Sequence, residues 1–115
     1  MTAFVFNVTF DCRDPERLSD FWAAVTGYQR TELTGDFARL RAPDSRSVRH
    51  LLFFRVPEPK TAKSRVHVDL ASRTPEDEVG RLQELGAREL YRVGELGRGG
   101  WVTMADPEDN EFCIG

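Results

Sequence analysis

At 115 residues with a formal charge of −3 and both signs interspersed, the chain is sized for one domain with a real core, and it offers a polyanion only the short basic run Lys60, Lys63 and Arg65. A hydrophobic share of 40%, with eight Phe, two Trp and two Tyr, excludes a disordered class, and Cys12 and Cys113 are too few and too far apart for a disulfide scaffold or a zinc ribbon. Residues 1–10 lack the pattern of a signal peptide and no segment nears the roughly twenty apolar residues that cross a bilayer, so a cytoplasmic protein with neither nucleic acid nor membrane as partner is expected.

The first predicted strand spans residues 3–11, with Phe4, Phe6, Val8 and Phe10 on an apolar face and Asn7, Thr9 and Asp11 on a polar one. Asp14-Pro15-Glu16 then opens a helix: Asp accepts from a free first-turn amide, Pro fits the first helical position and Glu suits the dipole. The helix, over 15–26, carries Leu18, Phe21, Trp22 and Val25 on one stripe and stops at Gly27. Trp22 is core by this spacing.

Three strands are predicted next, at 28–33, 37–41 and 49–56, separated by Thr34-Gly35-Asp36 and by the turn-rich run 42–47. Leu51-Leu52-Phe53-Phe54 is apolar on both faces and predicts a strand buried on both sides. His50, at the start of that strand among charged neighbours, reads as exposed. The segment 57–64, stiffened by Pro57 and Pro59, is a linker; Lys60 and Lys63 read as solvated, the alternative being that one lies over the mouth of a pocket.

The strand around Arg65-Val66-His67-Val68-Asp69-Leu70 repeats the grammar of the first, with Val66, Val68 and Leu70 on one face and His67 and Asp69 on the other. Thr74-Pro75-Glu76 stands sixty residues after Asp14-Pro15-Glu16 and predicts a second capped helix over 75–85, with Val79, Leu82 and Leu85 inward and a stop at Gly86. Strands follow at 89–93, 101–105 and 111–114. Gly94, Gly97, Gly99 and Gly100 make the first hairpin free in its backbone angles, as a lid or as a plain surface turn. The chain is one module written twice: module one over about 1–56, the linker over about 57–64 and module two over about 65–115, within a single domain.

Two βαβββ units closed by Ala105-Asp106-Pro107-Glu108-Asp109-Asn110-Glu111-Phe112-Cys113-Ile114 resemble the vicinal oxygen chelate superfamily, which includes glyoxalase I, fosfomycin- and bleomycin-resistance proteins and extradiol dioxygenases. The chain looks closest to its small glyoxalase-like domains. The resemblance implies an α+β fold in which two βαβββ modules form a curved, half-open mixed sheet around a concave cavity, with helices outside and a divalent metal held by His, Glu or Gln side chains.

Carried over residue by residue, that metal site is mostly missing. His67 matches a ligand position, Asn7 stands where the first copy would supply one, Phe53 or Phe54 replaces the donor of the fourth strand, and Cys113 falls where a Glu closes the signature. No cofactor is therefore expected, the alternative being one divalent metal ion. The candidate ligand-binding residues are Asn7, Asp11, Phe54, His67, Asp69, Trp101 and Cys113, with His67 as catalytic base or donor. His67 and Glu111 are the metal ligands if a site exists, and a rebuilt His67, Asp69, Glu111, Cys113 cluster is geometrically conceivable. Against it, Asp69 reads as bonding a neighbouring amide, Glu111 as a solvated strand start and Cys113 as a small buried hydrophobe.

The expected function is binding or sequestration of a small organic ligand; the alternative is a metal-dependent lyase, isomerase or dioxygenase-like enzyme with a nonstandard site around His67. A homodimer is expected because open sheet edges invite pairing.

Overall fold

A computed structural model describes residues 1–45 and 48–115, so Arg46 and Ser47 of the predicted turn lie outside the described residues. The chain divides into two compact units, Met1–Pro59 and Lys60–Gly115. Each is a βαβββ module with one four-stranded mixed sheet and one helix, the α+β arrangement that the duplicated pattern predicts.

In the first unit, β1 (Asn7–Cys12), α1 (Pro15–Thr26), β2 (Gln29–Leu33), β3 (Phe37–Arg41) and β4 (His50–Arg55) form a sheet of order β1-β4-β3-β2. β1 runs parallel to β4, and the remaining pairs are antiparallel. Asp14 caps α1, its carboxylate accepting from the Arg17 amide at 3.1 Å, and Gly27 ends the helix with a left-handed φ of 76°. Leu18, Phe21 and Trp22 are buried along the predicted stripe, while Val25 is only half-buried. Phe10 stacks on Phe53 with ring centroids 5.1 Å apart and lies 5.3 Å from Trp22, so the inner face of the sheet is sealed by aromatic rings.

Two expectations for this unit fail. β1 begins at Asn7 rather than at residue 3, leaving Phe4 and Phe6 exposed by 83% and 50%. Its partner β4 begins at His50, directly beside Asn7, and among the described residues the bond from the Arg49 amide to the Phe6 carbonyl continues the ladder upstream of that pair. β4 is buried on one side only: Leu51 and Phe53 face α1, whereas Leu52 is half-buried and Phe54 is 43% exposed. A strand covered by one helix alternates, whatever the hydrophobicity of its outer residues.

The second unit holds β5 (Val68–Leu70), α2 (Pro75–Glu84), β6 (Arg88–Val93), β7 (Trp101–Ala105) and β8 (Glu111–Ile114), in sheet order β5-β8-β7-β6. β5 pairs parallel with β8 over Val68, Asp69 and Leu70 alone, so His67 stands just before the strand and Val66, predicted to share the apolar face, is 84% exposed. Val79 and Leu82 of α2 join Val102, Met104, Phe112 and Ile114 among the buried residues; Leu85 is half-buried. Thr74 does not cap α2 with its side chain as expected; its own amide donates to Ser72 Oγ at 3.0 Å.

The run from Asp106 is a structural turn. Asp106 is 1% exposed, and its carboxylate accepts from the amides of Glu108 and Asn110 and from Asn110 Nδ2 at 2.9–3.2 Å. These bonds aim β8 back along β7 and support Asp109 at a φ of 67°. In the glycine-rich hairpin, a side chain at Gly100 would meet Glu95 N at 2.4 Å and Val93 O at 2.6 Å, so this position tolerates glycine alone. Among the described residues no helix is long and apolar enough to cross a membrane.

The two faces of β4 give a direct check. Phe53→Ala removes a fully buried ring and is expected to cost about 3–5 kcal/mol, whereas Phe54→Ala is expected to cost under about 1 kcal/mol. Urea unfolding of the two variants measures the difference; equal losses would contradict the assignment of faces.

Candidate functional site

The second unit contains a cavity of about 430 Å³ on the sheet face opposite α2, a size suited to a small organic molecule. Its floor follows from strand register. Asp69 pairs with Cys113 and Cys113 with Thr103, which in turn pairs with Tyr91, so one row of side chains crosses all four strands. His67, Lys63, Glu111 and Trp101 complete the lining.

The polar groups are linked in pairs. His67 Nδ1 lies 3.1 Å from Asp69 Oδ1; with the carboxylate as acceptor, the ring donates from Nδ1. The Asp69 carboxylate is therefore engaged by an imidazole rather than by the backbone amide that the sequence suggests. Thr103, 3% exposed, sets its hydroxyl 3.3 Å from Cys113 Sγ. Cys113 is half-exposed in the cavity wall instead of buried as a small hydrophobe.

Glu111 binds the linker. Lys63 Nζ donates to one of its oxygens at 2.7 Å and the Ser64 amide to the other at 3.1 Å, while the Glu111 amide donates back to Ser64 Oγ at 3.3 Å. The Glu111 side chain is 13% exposed, so the expected solvated strand start is a strap. Its hydrogen bond to Lys63 holds the carboxyl below the usual carboxylate range, helped by the Ser64 amide and opposed by burial, and the same bond raises Lys63 above the usual lysine range. Lys63 thus lies at the cavity, the alternative reading of the linker, whereas Lys60 is exposed and donates to the nearby Ala62 carbonyl.

Asn7, Asp11 and Phe54 lie in the first unit, together on the sheet face turned away from α1. Asp11 is beside Phe54 in the ladder, and Asn7 is beside His50, whose Nδ1 lies 2.9 Å from Asn7 Oδ1. His50, expected to be exposed, is half-buried against the Phe6 ring. Burial lowers its affinity for a proton, and Arg39, Arg41 and Arg49 push in the same direction, so the neutral ring is favoured. Phe54, not Phe53, occupies the outer face of the fourth strand.

Of the residues singled out in the sequence, His67, Asp69, Trp101, Glu111 and Cys113 line this cavity, and Tyr91 and Thr103 line it without having been singled out. Thr103 was accessible, because it sits two residues from Trp101 on the same strand face. Tyr91 was not: a β-bulge between Glu89 and Tyr91 shifts the register, so alternation counted from the strand start sends it to the wrong face.

A family model described as a glyoxalase-like domain matches residues 7–115. No curated protein matches the chain in sequence. Among solved structures, a glyoxalase/bleomycin resistance protein/dioxygenase family enzyme from Burkholderia phytofirmans PsJN is similar, with a TM-score of 0.77, 19% identity and coverage of 97% of both chains. A variant of the fosfomycin resistance protein FosX from Listeria monocytogenes, complexed with Mn(II) and 1S,2S-dihydroxypropylphosphonic acid, superposes with a TM-score of 0.79 at 11% identity, covering 99% of this chain and 90% of the other. FosX from Mesorhizobium loti gives 0.78 at 16% identity, with 99% and 92% covered. At such identities these likenesses establish the fold.

The donors in this chain do not fit a hard ion such as Mn(II), which takes oxygen ligands. Glu111, expected to join His67 as a ligand, has both oxygens committed to Lys63 and Ser64. The groups that do converge are an imidazole nitrogen of His67, a carboxylate oxygen of Asp69 and the sulfur of Cys113, all within 4.8 Å of one another.

The strap has a pH signature. Because the folded protein holds Glu111 below its unfolded value, its contribution to stability is present at neutral pH and is lost as pH falls below the usual carboxylate range. The stability gap between the native protein and Glu111→Gln, followed by urea unfolding, is expected to close over that acid range; a gap independent of pH would refute the strap.

Proposed function

Because the chain belongs to the glyoxalase-like domain family, we propose that it is a small-molecule-binding domain whose second unit takes up a compact, partly apolar organic ligand. The observation that carries this reading is the cavity itself: Tyr91 and Trp101 supply aromatic wall, both partly exposed at 51% and 40%, while His67, Thr103 and Cys113 place polar atoms on its floor. Such a site orients a ligand bearing an aromatic or aliphatic body and one hydrogen-bonding group. Lys63 is neutralised by Glu111 and Asp69 leaves a residual negative charge, so the charge of the site favours neutral or cationic ligands over anionic ones.

A second reading, a metal-dependent enzyme of the lyase, isomerase or dioxygenase-like kind, is favoured by the convergence of His67, Asp69 and Cys113. In that reading His67 is the central residue. Asn7, Asp11 and Phe54 are proposed as further ligand contacts on the first unit. The domain is proposed to act in the cytoplasm as a homodimer, a state supported by the exposed edge strands β2 and β6 and checked by sedimentation.

1-Naphthol, an aromatic body with one hydroxyl, tests the organic pocket. Titrated into labelled protein, it is expected to move amide resonances of Tyr91, Thr103 and Cys113, and Trp101→Ala is expected to weaken the response by about tenfold or more. Absence of shifts at Tyr91, Thr103 and Cys113, or an unaffected variant, would refute the proposal.

A further inference from the structure

We infer that His67, Asp69 and Cys113 form a seat for a thiophilic divalent cation of the zinc or cobalt kind, with a preference opposite to that for the Mn(II) bound by the Listeria FosX variant. The inference rests on the cavity reading above and adds the identity of the ion that the site selects.

Three observations carry it. The first is the donor set. One nitrogen, one oxygen and one sulfur match borderline ions, whereas a thiolate discriminates against manganese and magnesium, which take oxygen ligands. The second is spacing. Zinc bonds of about 2.0–2.1 Å to nitrogen and oxygen and about 2.3 Å to sulfur put donors on a tetrahedron roughly 3.3–3.7 Å apart. The observed spread of up to 4.8 Å closes to that by small rotations of His67 and Asp69, which bond each other and whose side chains are 45% and 74% exposed.

The third is the support behind the sulfur. Thr103 is 3% exposed and its hydroxyl lies 3.3 Å from Cys113 Sγ, where it can donate to a thiolate and hold it toward the cavity. The carboxylate that would have supplied a hard oxygen, Glu111, is withdrawn into the strap with Lys63 and Ser64. The remaining set is one imidazole, one carboxylate and one soft thiol. Three protein donors leave a fourth position, open to the cavity, for water or a polar atom of the organic ligand.

Calorimetric titration of the full chain with Zn²⁺ and with Mn²⁺, in the absence of any organic ligand, tests the inference. One equivalent of Zn²⁺ is expected to bind at least about 100-fold more tightly than Mn²⁺. Co²⁺ is expected to give a thiolate-to-cobalt charge-transfer band that disappears in Cys113→Ser. Cys12, the other thiol, is only 3% exposed and donates to the Phe54 carbonyl, so a band surviving in Cys113→Ser would overturn the assignment.

Asp69→Asn, on an exposed side chain, guards against misfolding: it is expected to weaken Zn²⁺ at least about tenfold with the unfolding transition unchanged. Mn²⁺ binding as tightly as Zn²⁺, or an unaffected Asp69→Asn, also overturns it. Repeating the 1-naphthol titration with a chelator present separates the two proposals: naphthol binding with no zinc binding sinks only the cation seat, and zinc binding without naphthol sinks only the organic pocket.

Discussion

The packing of one helix against one face of each sheet is the constraint from which the rest follows. Once Trp22 of α1 and Phe53 of β4 are buried between helix and sheet, and Leu82 is buried in the second unit with Met104 and Phe112 of its sheet, strand alternation commits every other residue to the opposite face. The row of Tyr91, Thr103, Cys113 and Asp69 along the cavity is not assembled by any attraction among its members. It is the complement of the core, held in line by ladder hydrogen bonds and by a single bulge in β6. The buried Thr103 hydroxyl is tolerable there because it lies within hydrogen-bonding reach of Cys113 Sγ.

Much of this was legible from the residues. The strong punctuation of Asp14-Pro15 and Gly27 set α1 to its observed bounds, and β3, β7 and β8 also stand where alternation places them. What failed were decisions that depend on neighbours. The strand at residue 3 had the right pattern, but its paired part starts at Asn7 beside His50, and β4 looked doubly buried because apolar residues mark a buried face only when something covers it. Thr74 has the chemistry of a cap, yet Ser72 supplies the local hydrogen bond instead. The candidate site divides in the same way: alternation identified Asp69, Trp101 and Cys113, whereas the partners of Glu111 lie some forty-seven positions away in sequence and no periodicity reports them.

The two units share a topology but not a surface chemistry. On the outer face of the first, Asn7 and His50 bond to each other, burial and then three arginines lower the affinity of the imidazole for a proton, and Phe54 and Leu52 add apolar area. On the second, the corresponding face carries an imidazole, carboxylates and a thiol. Fold alone therefore does not set the surface chemistry of either half; the difference lies in the side chains placed on equivalent strands.

The strap between Glu111 and the segment at Lys63 and Ser64 makes the connector a part of the cavity wall rather than a passive tether. Natural variation in connector length would thus be felt as a change in what the hollow admits, since an added residue next to Ser64 slackens the wall while one placed earlier leaves it taut. Duplicated domains of this design can diversify in recognition by editing the joint, with both sheets left untouched.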